Sequence, residues 1–96
     1  MNKKFYHVTD AKNLRSIMKK GLLPHRDEDY DIKGIFLFDN LEVAKSCCSP
    51  ECVVLEVTVL AETVRKWVWN EANNTREYLK FGKVSTDNIK LVYEGC

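Results

Sequence analysis

Phe5-Tyr6-His7-Val8-Thr9 sets the architecture expected of the rest of the chain. The run is short, apolar and aromatic, and it ends in an imidazole and a hydroxyl. Such a run reads as a β-strand, over Phe5 to Val8, because branched and aromatic side chains suit a pleated, half-buried surface. Asp10 follows as a candidate N-cap, and Ala11, Leu14, Ile17 and Met18 recur at helical spacing on to about Lys20. Lys12, Arg15, Lys19 and Lys20 lie off that stripe, and the last two suit the negative end of a helix dipole. Gly21 offers the left-handed C′ position of a helix end, and Pro24 blocks continuation. His7 thus stands where a strand gives way to a helix, and polar groups so placed are held rigidly enough to meet a ligand.

Beyond this unit, His25 to Lys33 is polar and acidic and reads as an exposed loop. Gly34-Ile35-Phe36-Leu37-Phe38 is apolar on both faces, and its length and aromatic content favour strand over buried helix. Asp39 or Asn40 caps a second helix with Leu41, Ala44 and Cys47 or Cys48 inward, ended by Ser49-Pro50. Cys52 to Leu60 alternates as a half-buried strand, with Val53, Leu55, Val57 and Val59 on one side. Thr63 to Trp69 fits either a short helix or a strand. Asn70 to Arg76 reads as a polar loop, Glu77 to Phe81 as a strand broken by Gly82, Ser85 to Asn88 as a turn, and Ile89 to Tyr93 as the last strand. The expected fold is α+β, a single domain over residues 1–96. Both helices lie in the N-terminal half, and mainly antiparallel strands form two small packed sheets.

No apolar run approaches the roughly 20 residues that span a bilayer, and the N-terminus lacks a signal-peptide core. The expectation is a cytoplasmic protein with no membrane partner. The net charge of +1 hides an asymmetry: residues 1–26 carry +6, 27–62 carry −7 and 63–96 carry +2. A basic N-terminal quarter favours a phosphate-bearing ligand, although mutual neutralisation of the three parts is the simpler account. A nucleic-acid partner is possible on this charge but not indicated, because no basic cluster reaches the 5–8 residues of such a patch. Cys47, Cys48 and Cys52 crowd together while Cys96 stands alone. That is neither a spread disulfide framework nor a paired zinc set, so reduced thiols are expected and no metal.

Phosphate-loop and nucleophile-elbow motifs are missing. His7, the aromatic strand after Gly34, and Glu77 opening a strand after a polar loop remain. Their order is informative. Tyr6-His7-Val8-Thr9, with a helix ending Lys19-Lys20-Gly21-Leu22-Leu23-Pro24, resembles the opening of the ADP-ribosyltransferase superfamily, where a strand carries His-x-Thr. Gly34-Ile35-Phe36-Leu37-Phe38-Asp39 followed by Glu42 and Ala44 looks like its second motif. Glu77-Tyr78-Leu79 looks like the third, a strand that begins with the catalytic glutamate. The set is similar to the His-Tyr-Glu branch, which includes diphtheria-type toxins and poly(ADP-ribose) polymerases, and it covers nearly the whole chain.

The resemblance implies an NAD-dependent mono-ADP-ribosyltransferase in which NAD donates ADP-ribose. His7 would bond a ribose hydroxyl of the adenosine half. The backbone at Val8 would hold the nicotinamide carboxamide, and Thr9 would support that geometry. Phe36, in place of the family's tyrosine, would pack on the nicotinamide ring, and Tyr78 or Tyr30 would have to supply a hydroxyl. Glu77 would be catalytic, stabilising the oxocarbenium character that builds on the nicotinamide ribose. The acceptor, whether a macromolecule or a small molecule, is not specified. The alternative is a degenerate member that binds a protein or nucleotide without chemistry. A related catalytic domain, that of RNA 2′-phosphotransferases, relies on several arginines around a phosphate, and here only Arg15 lies in such a context.

Overall fold

The computed structural model describes residues 1–27, 32–48, 50–71 and 75–95, with backbone alone for 25–27, 32, 67, 68, 70 and 75. Tyr30, Ser49, Cys96, the centre of the acidic segment and the tip of the polar loop before Arg76 lie outside the described residues. Seven strands are present among them: β1 (Asn2–Asp10), β2 (His25–Asp27), β3 (Ile32–Phe38), β4 (Cys52–Leu60), β5 (Val64–Asn70), β6 (Thr75–Lys80) and β7 (Ile89–Glu94). Two short helices, α1 (Leu14–Lys20) and α2 (Leu41–Ser46), complete the chain with three single turns of 3₁₀ helix.

The expectation of two packed sheets is overturned. The strands form one antiparallel sheet in the order β5-β6-β3-β1-β4-β7, with β2 joined to β3 off that path. The fold is mainly β, and the physical reason lies in β3. This strand bonds β6 along residues 35–38 and meets β1 at Tyr6↔Phe38, so the two halves join edge to edge instead of stacking. Each face is then covered by a helix. Phe5, Ile35, Leu37, Val53, Leu55 and Val57 point to the α1 side, where Ile17, Leu22, Val84 and Ile89 close the core. On the other face Lys45 of α2 sets its ammonium 5.4 Å from the Tyr93 ring, and Ala44 of the same helix is fully buried. Val54 and Leu79 are also fully buried and, by alternation, point to this side.

Local expectations fared unevenly. Asp10 makes no side-chain cap; a 3₁₀ turn over Ala11–Asn13 intervenes before α1. Asn40, rather than Asp39, caps α2, its Oδ1 accepting from the amides of Glu42 at 2.9 Å and Val43 at 3.2 Å. Thr63 to Trp69 resolves as strand β5 after a 3₁₀ turn. The expected acidic loop begins as β2, paired His25↔Gly34 through Asp27↔Ile32. Gly21 ends α1, but with φ +86° and ψ 177°, a glycine conformation other than the expected left-handed C′ cap, and donates its amide to the Ile17 carbonyl at 2.7 Å. Gly34 is needed for contact: a Cβ there would run into Leu79 Cδ1 across the β3–β6 pair.

Cys48 and Cys52 are joined by a disulfide across 5.6 Å between Cα atoms, which corrects the expectation of free thiols for this pair; Cys47 is free. Among the described residues, no helix is long and apolar enough to cross a membrane, and no group of three or more His, Cys, Asp or Glu is placed to hold a metal.

Candidate functional site

The strands bearing the three motifs are sheet neighbours, β6-β3-β1. Glu77 pairs with Phe38, and Phe38 with Tyr6, so these residues form one row across three strands. Directly opposite residues in antiparallel strands share a face. Glu77, Phe38, Phe36 and Tyr6 therefore point toward the α2 side, and His7 belongs by alternation to the α1 side.

Tyr6↔Phe38 is the sole pair between β1 and β3 among the described residues, whereas β1 pairs with β4 along all of Asn2–Asp10. Continued in register, Val8 would face Phe36 across a ladder. Instead the strands part, and the His7 ring takes the acceptor that a ladder amide would have used. Its Nδ1 lies 2.8 Å from the Phe36 carbonyl oxygen. A carbonyl only accepts, so Nδ1 carries the hydrogen and donates.

A groove of about 690 Å³ opens beside the C-terminal part of β1. It falls within the roughly 300–1,000 Å³ of small-molecule sites. His7, Val8, Thr9 and Asp10 line one wall, with Asn13 and Ser16 from the turn and helix that follow, the Gly21–Leu23 step, Cys47 and Cys52. Residues of both alternation sets line it, so the groove wraps the edge of β1 and reaches toward both faces of the sheet. Thr9 Oγ1 accepts from Asn13 Nδ2 at 3.3 Å, which fixes the hydroxyl against the turn that leads into α1.

Of the six residues expected at the site, His7, Val8 and Thr9 line the groove. Phe36 is tied to it through its carbonyl. Glu77 is not among the lining residues, but its charge acts on Cys47, which is. The Cys47 thiol is held above its ordinary pKa first by burial and further by the Glu77 carboxylate, against a lowering hydrogen bond with Ser46. Tyr78 lies elsewhere. Its ring packs 5.2 Å from that of Phe5, and its hydroxyl donates to Asp39 Oδ2 at 2.9 Å. Burial, then that bond and the Asp39 charge, raise the phenol's pKa. Arg15 is exposed on α1 and does not line the groove.

Asn13, Ser16, Cys47 and Cys52 were not foreseen as wall residues. Asn13 stands four residues beyond Thr9 and was legible as a partner; the cysteines reach the wall only through tertiary folding. A comparison with models of known protein families finds no match, and one with curated proteins finds none either.

Proposed function

We propose that the chain is an NAD-dependent mono-ADP-ribosyltransferase whose acceptor is yet to be identified. What supports this is the adjacency of the three motif strands, with His7 fastened to Phe36; what opposes it is that Glu77, in the row of Phe38 and Tyr6, points away from His7 to the other face of the sheet. The groove's volume and mixed polar lining fit a dinucleotide-sized ligand. NAD supplies ADP-ribose with a neutral leaving group, so no general acid is required.

The chain's own residues then have limited tasks. The bond from Nδ1 to the Phe36 carbonyl orients the His7 ring, the part of the site that would meet a ribose hydroxyl. The β1 backbone at Val8 offers hydrogen-bonding groups on its edge toward the groove. Phe36 contributes an aromatic face on the α2 side. In this reading Glu77 would supply the negative charge that an oxocarbenium-like ribose needs, although it faces the side of the sheet opposite His7 and lies outside the groove lining.

The placement of Glu77 outside the lining favours a second reading, a module that binds nucleotide without chemistry. One experiment separates the two. Incubation with NAD should release nicotinamide, and Glu77→Gln should lower that rate by about 100-fold or more, the scale of losing a transition-state charge contact. ADP-ribose binding that depends on His7, with no nicotinamide release and no labelled acceptor, would establish the binding module instead.

A further inference from the structure

Three lysines converge on a second concavity that the proposed chemistry does not use. We infer that Lys19, Lys20 and Lys83, with Ser85 and Thr86, form a binding site for a phosphate-bearing ligand. These residues and Leu23 line a hollow of about 370 Å³.

Tertiary structure builds the cluster. Lys19 and Lys20 end α1, and Lys83 follows more than sixty residues later. An isolated antiparallel bridge holds the two segments together: Leu22 N–H donates to Val84 O at 2.9 Å, and Val84 N–H to Leu22 O at 2.9 Å. Leu22 and Val84 are both core residues, so the bridge is anchored from beneath. The Lys83 stem passes close over Gly21, where a Cβ would lie 3.1 Å from Lys83 Cε.

Like charges brought to one hollow repel, and a fold that tolerates this without a neutralising carboxylate leaves a potential that attracts anions. Among the described residues, no Asp or Glu lines the hollow. Among them too, the ion pairs engage the N-terminus, Lys4 and Lys45, and none of these three lysines. Asp87 is the nearest acid in sequence, and its amide donates to Ser85 Oγ at 3.4 Å. A serine hydroxyl that accepts there still has its own hydrogen to donate to a phosphate oxygen. The helix dipole accounts for Lys19 and Lys20 at the end of α1, but Lys83 lies outside that account. The basic N-terminal quarter acquires a specific use here.

The site does not depend on the nicotinamide chemistry, although Leu23 also lines the larger groove, so one ligand can reach both. The test is amide NMR on the full chain at low ionic strength, with inorganic pyrophosphate, NAD and a short single-stranded oligonucleotide as separate probes. Saturable shifts are expected on Lys19, Lys20 and Val84 to Thr86. Lys83→Glu should weaken binding about tenfold or more, and Lys19→Glu, on an exposed helix face, serves as the second variant. If NAD moves these amides together with those of His7 and Thr9, the phosphates belong to a ligand spanning both grooves. If the oligonucleotide moves them without His7 and Thr9, the phosphates are those of a nucleic-acid backbone. Shifts scattered over unrelated lysines such as Lys4 and Lys90, affinity unchanged in both variants, or no response to any probe would overturn the site.

Discussion

Gly34→Ala is the sharpest test of how β6, and with it Glu77, is held against β3. An added methyl would run into Leu79 Cδ1, lie 3.0 Å from Leu79 Cγ and lie 3.3 Å from the Lys80 carbonyl oxygen. Leu79 is fully buried and Lys80 O is backbone, so neither yields easily. Overpacking of this kind costs about 1–3 kcal/mol. Loss of chain freedom in the unfolded state offsets roughly 0.4–1 kcal/mol of that. A net loss of about 1–2 kcal/mol lowers Tm by roughly 4–16 °C in a domain of this size. Urea unfolding at 25 °C and calorimetry would measure it. Leu79→Ala alone should cost about 2–5 kcal/mol through the cavity it leaves. In that background the methyl added at position 34 occupies freed space, so the double mutant should be more stable than the two losses predict, by about 1 kcal/mol or more. Additivity within about 0.5 kcal/mol, or a Gly34→Ala variant as stable as the parent, would refute the close approach. Leu79 is two residues from Glu77 on the same face, so any nicotinamide release should fall in Gly34→Ala as well.

Other consequences follow from single contacts. His7→Ala removes the 2.8 Å bond to the Phe36 carbonyl at a half-buried position, which should cost about 1 kcal/mol, the net worth of an ordinary hydrogen bond; an unchanged urea midpoint would show that the bond contributes nothing. Tyr78 has its pKa raised above 10.0, so the neutral phenol is favoured in the folded state. Its contribution to stability should be complete below pH 10, be lost as pH rises through the folded value, and vanish in Tyr78→Phe, as read from unfolding at pH 8 and pH 11. The free Cys47 thiol, raised above 9.0, should alkylate more slowly than an exposed cysteine at pH 8. Glu77→Gln removes one raising charge and should speed that reaction; a rate that does not change would place the carboxylate too far from the groove wall to act there.

Much of the fold was legible because two periods are hard to mistake. Cys52 to Leu60 alternates cleanly, and the observed strand has the same bounds. The stripe of Leu14 and Ile17 marked α1, whereas Ala11 falls in the 3₁₀ turn before it and Met18 is exposed, and Gly21 marked its end. The 3₁₀ turn before α1 was not visible, because Asp10 is a good cap by type and only geometry shows that its side chain is not used as one. Sheet partnership was hidden for a deeper reason. Period-2 patterning tells which side chain faces inward but not which edges meet, and β3 is apolar on both faces whether it ends a sheet or joins two halves. The disulfide was missed because a four-residue cysteine spacing has several chemical uses. At the site, His7, Val8 and Thr9 were legible as strand but not as the strand end expected, since β1 runs on to Asp10 paired with β4, and Glu77's relation to them depends on register across three strands, which no local pattern encodes.

The parting of β1 and β3 also dissolves a choice that the sequence posed, between a structural and a functional His7. A sheet that opens internally exposes ladder groups that must find partners, since unpaired backbone groups away from water are costly. Here one of them, the Phe36 carbonyl, is met by the His7 ring across the opening. The ring that bridges the gap also lines the groove beside β1. Its Nδ1 donates to the fold, at the Phe36 carbonyl. A structural bond of this kind leaves the proposed ligand role compatible with the fold. It orients the imidazole through Nδ1, beside Val8 and Thr9, where β1 keeps its β4 partner but has lost β3.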